Sequence, residues 1–280
     1  MKRVRTYLLL TIIMGVAMFC TKLDIDKRYD AKELSCWKDG YFVQQNIDIS
    51  RLDEGIIRAE VDNVWQEYKI SNLPEKFIKW NIAKRLETMT RFRNHQAPEL
   101  SGPHSGMVAT YGAKRKDSQF KLNNAVKGIG FIPKKEKIKQ IIQMLEATKN
   151  NPFPAKLDTL TYLYNNAENI FDMSKQLSLE LYTTHEFVTQ TFLNQILNPV
   201  SVIVFLDIPS YKLKTIVQLI HPDNPNLTDY EKDIVKYANL IHSYFHGEFS
   251  TDFIAVVYNV VEVYDNSPGK KDAMGTRIVP

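Results

Sequence analysis

The stretch Ile57-Arg58-Ala59-Glu60-Val61-Asp62-Asn63-Val64-Trp65-Gln66-Glu67-Tyr68 decides how the rest of the chain is read. Its apolar members Ile57, Val61, Val64, Trp65 and Tyr68 fall four, three, one and three residues apart. An α-helix returns to the same side about every 3.6 residues, so this spacing predicts one apolar helix face. Pro74 suits the first turn of a second helix, where a missing N–H is no loss, and Phe77, Ile78, Ile82 and Leu86 supply its apolar positions. Two amphipathic helices on a short connection bury their faces against each other, with Trp65 and Trp80 as packing residues.

Moving toward the C-terminus, the helical pattern stops after Arg93. The interval 97–131 holds Pro98, Pro103, Gly102, Gly106, Gly112, Gly128 and Gly130, and reads as a long loop or a set of short strands, with Met107–Tyr111 and Ala125–Phe131 the strand candidates. Helical spacing returns at Ile138, Ile141, Ile142 and Leu145, again at Leu157, Leu160, Leu163 and Tyr164, and then over 177–197. Beyond Pro199 the pattern changes. Val200–Phe205 reads as a buried strand, 211–220 as a helix, and Thr228 with Glu231 as a capping box opening a helix that runs toward Phe245. Phe253–Tyr264 is the clearest strand. The expected class is therefore α+β, with a helix-rich N-terminal and central region and a C-terminal β-α-α-β substructure. The expected divisions are a targeting segment (1–20), a tether and entry segment (21–49), a mainly helical region (50–198) with the glycine-rich basic insertion at 97–131, and the α/β remainder (199–280).

Moving toward the N-terminus, Lys2, Arg3 and Arg5 precede an apolar run from Tyr7 to Phe19. This is the order of a signal peptide. Thirteen residues give a helix of about 20 Å, shorter than the roughly 30 Å core of a bilayer. Three endings compete. Cleavage after Ala17 would release a secreted protein; acylation of Cys20 would make a bacterial lipoprotein, although Phe19 is larger than the residue usual at that place; retention would leave an anchor. The chain has two cysteines, Cys20 and Cys36. If Cys20 is not lipidated the two can close a disulfide loop worth about 3 kcal/mol. The expected location is the bacterial cell envelope, on the periplasmic or extracellular side of a membrane, with secretion as the alternative.

Lysine and arginine number 36 against 32 acidic residues, and removing Lys2, Arg3 and Arg5 leaves 33 against 32. The body is thus close to neutral, and its pI is no sign of a specific nucleic-acid partner. Charge is concentrated locally, at Lys114, Arg115, Lys116, Lys121, Lys127, Lys134 and Lys135. Such a tract suits an anionic lipid or an envelope protein, beside the simpler reading of a solvated face.

Catalytic patterns are sparse. His242 and His246 stand four apart on one helix and can share a metal ion, but no glutamate lies between them to activate a metal-bound water. The neighbours His104 and Ser105 make no nucleophilic dyad by adjacency alone. Phosphate-loop, dinucleotide, nucleophile-elbow and paired-cysteine fingerprints are missing, so no cofactor is expected. The sequence favours an exported cell-envelope protein with a binding or structural role, and an exported metal-dependent hydrolase as the alternative.

Overall fold

Asp62 and Asn63 take positive φ of 52° and 65°, the left-handed geometry of a tight hairpin turn and one that short polar side chains tolerate. The computed structural model describes residues 36–115, 119–269 and 275–280, and around this turn it forms strands where a helix was expected. A small pair, β1 (Trp37–Lys38) and β2 (Tyr41–Phe42), is followed by a three-stranded sheet of β3 (Ile47–Asp48), β4 (Ile56–Val61) and β5 (Val64–Lys69). Ile57 faces Tyr68 and Val61 faces Val64 across the hairpin.

The chain continues through α1 (Glu75–Arg93), β6 (Ser105–Tyr111), β7 (Leu122–Gly128), α2 (Ile138–Thr148), α3 (Phe153–Asn165), the short α4 (Ala167–Ile170), β8 (Lys175–Glu180) and α5 (Gln190–Leu197). It ends with β9 (Val200–Phe205), β10 (Tyr211–Ile220), α6 (Asp229–His246), β11 (Ile254–Asp265) and β12 (Thr276–Val279). The described residues are 32% helix and 31% strand, so the helix-rich expectation is overturned. The helix expected over 177–197 survives only as α5; its first residues, 177–180, belong to strand β8. The C-terminal order is β-β-α-β-β rather than β-α-α-β, chiefly because 211–220 is a strand: Tyr211, Leu213 and Thr215 point inward while Lys212 and Lys214 point outward, a period of two.

The large sheet runs β12-β11-β10-β9-β6-β7, with β8 also paired to β11. It curls until its ends meet. Gly130, just past β7, exchanges two backbone hydrogen bonds of 2.8 Å with Leu177 of β8. All the strands of this sheet except β12 thereby form an antiparallel barrel joined along a partly open seam. Val108, Ile203, Leu213, Val217, Val256 and Val260 fill its interior. Gly106 is required where it stands, since a Cβ there would lie 2.7 Å from Ile203 Cγ2 and 2.8 Å from Ile129 Cγ1.

Helix α1 closes one end, with Phe77 and Trp80 packed on Phe205 and Tyr211 at ring separations of 5.2–5.7 Å. At the other end α5 makes polar contacts: the Asn194 amide donates to Thr110 Oγ1 at 3.0 Å, and the Gln195 amide to Ser201 Oγ at 3.2 Å. Outside the barrel, α6 packs against β8 and β11 and in turn carries α2. The hairpin β4–β5 covers another part of the wall, where Ile57 and Ala59 meet Ile216.

Candidate functional site

A groove on the barrel's outer helices follows from how α6 is held. Thr228 Oγ1 accepts from the Glu231 N–H at 3.3 Å, and the Glu231 carboxylate accepts from the Thr228 N–H at 2.9 Å, the reciprocal cap expected from the sequence. Gln218 of β10 donates to the same carboxylate at 2.9 Å, fixing the helix start to the barrel. At the other end, Asn239 donates to Phe253 O at 3.0 Å and accepts from Phe253 N at 2.7 Å, so the connection 247–252 is clamped where β11 begins. Gly247, at φ 85°, turns the chain out of the helix, and its N–H bonds Ser243 O.

Between the end of α2, one face of α6 and this connection lies a groove of about 410 Å³. Leu227, Val235, Leu240 and Phe249 provide its apolar surface, and Glu146, Lys149, Lys232, Lys236, Glu248 and Asp252 its charge. Two ion pairs neutralise most of that charge: Lys236 with Glu146 at 2.7 Å and Lys149 with Glu248 at 2.5 Å. Lys232 and Asp252 have no ion-pair partner among the described residues. Burial, aided by the nearby Asp223 and opposed by Lys236, raises the Asp252 carboxyl above its ordinary range.

His242 and His246 border this region. Their ring centres are 4.6 Å apart, and Phe249 stacks on His242 at 5.2 Å. Burial and the neighbouring His246 lower the pKa of His242. Among the described residues no group of three His, Cys, Asp or Glu side chains is placed to hold a metal ion.

The basic tract is dispersed. Lys121 Nζ donates to Ala113 O at 3.0 Å, Lys127 pairs with Glu180 at the barrel seam, Lys134 donates to Glu168 O at 2.8 Å, and Lys135 lies 3.2 Å from Asp53. Arg115 is buried and Lys114 half-buried. Lys116 and Cys20 lie outside the described residues. Cys36 is a half-buried free thiol beside Trp37, whose ring packs on Phe42, His185 and His221.

Sequence reasoning missed a buried polar centre around Arg85. Its guanidinium donates to Asn81 Oδ1 at 2.7 Å, Pro103 O at 2.9 Å and Ile129 O at 2.7 Å, and lies over the rings of Phe131 and Tyr164. His104 sits beside it, its Nε2 2.6 Å from Thr88 Oγ1. The signal was available in the helix period: Asn81, Arg85 and Thr88 occupy the same stripe as the apolar Ile78 and Met89. No family model matches the chain, and no curated protein matches it.

Proposed function

We propose that this chain is an exported binding protein of a bacterial cell envelope, tethered to a membrane through Cys20, and that its ligand occupies the groove between α2, α6 and residues 247–252. The observation that carries the binding role is the charge left over in that groove. Lys149, Glu248, Lys236 and Glu146 satisfy one another, whereas Lys232 and Asp252 line the same cavity without an ion-pair partner among the described residues. A ligand bearing both signs of charge answers both, and Leu227, Val235 and Phe249 supply apolar area for its stem. Short polar peptides have this chemistry. The location rests on the basic residues Lys2, Arg3 and Arg5, the apolar run that follows them and the cysteine that ends it.

The hydrolase reading has less support, because His242 and His246 gain no third ligand among the described residues. Two experiments test the proposal. Intact mass of the protein from its native host, with membrane fractionation, is expected to find diacylglycerol on Cys20; an unmodified Cys20 in the soluble fraction sinks the tether. Calorimetric titration with mixed short peptides is expected to give heat that is lost in Lys232→Ala/Asp252→Asn. Equal heat in the double variant removes the groove from the proposal.

A further inference from the structure

We propose that two copies of this chain associate by pairing β7 of one with β7 of the other, in antiparallel register about a two-fold axis at Asn124. The argument begins with the hydrogen-bond parity of the strand. In the β6–β7 register, Gly112 N donates to Lys121 O and Ile129 N to His104 O, so the odd-numbered residues of β7 turn their backbone groups toward β6. The even-numbered residues turn theirs the other way. Gly130 uses that outward side to bond Leu177. Among the described residues, nothing bonds the outward N–H and C=O groups of Leu122, Asn124, Val126 and Gly128.

This edge is thinly guarded. Edge strands are usually protected by proline, a bulge, an edge lysine or an inward-pointing charge. β7 contains no proline and its register with β6 is unbroken; its one guard is the inward-pointing Lys127, which is held by Glu180 near the end of the strand and leaves 122–126 without a charge. Two of the side chains beside the free backbone groups are apolar and solvent-exposed, Leu122 at 74% and Val126 at 69%, with the exposed Asn124 between them.

The pattern is complementary to itself, which selects a second copy as the occupant. With the axis at Asn124, the outward groups of Leu122 meet those of Val126 in the other copy, and each Asn124 meets its equivalent. An apolar pair therefore lies on each side of a central asparagine pair, on one face of a sheet that continues from barrel to barrel. The same register brings Lys121 opposite Lys127 on the inner face, but both amines are already held, by Ala113 O and by Glu180. Two seven-residue strands bury little area, so the dimer is expected to depend on concentration.

Sedimentation velocity of the full chain over a wide concentration range reads the association. The expected result is a monomer–dimer equilibrium that shifts to monomer in Val126→Lys, which places a charge on the edge. Asn124→Pro is expected to act likewise, since it removes an outward N–H and leaves the bonds to β6 intact. A third variant does not depend on losing the dimer. Asn124→Cys puts a thiol on the axis, within reach of its own copy across a strand pair, and oxidation is expected to give a disulfide that peptide mapping assigns to position 124 in both copies. Asn123→Cys, facing the other side of the sheet, is expected not to link. A protein that stays monomeric at every concentration overturns the proposal. So does a dimer that survives Asn124→Pro and gives no linkage at position 124.

Discussion

Lys127 Nζ lies 2.7 Å from Glu180 Oε2 across the barrel seam, in the register set by the Gly130–Leu177 bridge: one residue is three places before Gly130, the other three places after Leu177. The backbone pairing has lapsed at this level, and the side chains carry the closure. Glu180 is 1% exposed, and its Oε1 has no hydrogen-bond partner among the described residues.

A buried charge that loses its partner is costly, whereas removing both charges is often nearly neutral. Glu180→Gln or Lys127→Met alone is therefore expected to lower stability by about 3 kcal/mol, and the double variant to regain most of it. Urea unfolding of all four proteins closes the cycle. A double variant as unstable as the sum of the singles would contradict the clasp.

Arg85 is held by oxygens of α1, of the segment before β6 and of the segment after β7. Arg85→Met strands those acceptors and is expected to cost about 3 kcal/mol. Arg85→Lys is expected to recover only part of this, since an ammonium cannot reproduce the planar fork. Chemical denaturation checks both values; a fully stable lysine variant would show that charge alone suffices.

Burial, followed by the neighbouring Arg85 charge, depresses the pKa of His104 to about 3. The unfolded chain protonates this ring near pH 6.5. Between those values the unfolded state holds the extra proton, so stability is fully present above pH about 6.5 and falls as the pH drops toward 3. One such proton contributes a slope of at most about 1.4 kcal/mol per pH unit. Replacing His104 by Gln is expected to flatten the stability profile in this window; an unchanged profile would mean that other groups set it.

Burial pushes the Cys36 thiol up to about 11, against the smaller opposing effect of backbone hydrogen bonds from Cys36 and Trp37. Since the thiolate is the reactive form, alkylation of Cys36 in the native protein is expected to keep accelerating at pH values where a free thiol, with a pKa of about 8.5, has levelled off. Mass-resolved labelling across alkaline pH tests this, with the urea-unfolded chain as reference. A native profile that levels off with the reference refutes the shift.

Several elements were legible because a single face decided them. The stripe Ile138, Ile141, Ile142 and Leu145 became α2, the Thr228–Glu231 cap opened α6, and the runs 200–205 and 253–264 became β9 and β11 within a residue or two. The hairpin at 56–69 was misread for a geometric reason. Val61 and Val64, facing each other around a two-residue turn, stand three apart in sequence and so imitate neighbours on a helix. Asp62-Asn63 was the contrary sign. Strand β10 is buried along most of its length, which blurred its alternation beyond Thr215. The groove was illegible for another reason. Glu146, Lys232 and Asp252 come from separate segments and meet only because α2 packs on α6. The closeness of His242 and His246, by contrast, followed directly from their spacing.

The position of β11 governs when this molecule can assemble. It lies between β10 on one side and β8 and β12 on the other, yet it is made from residues 254–265, after both β8 and β10. Until it arrives, β8 has no strand to join and β10 keeps a bare edge. A chain emerging from the ribosome N-terminus first therefore has no closed barrel until residues 254–265 have been made, and depends meanwhile on whatever shields its unpaired strands.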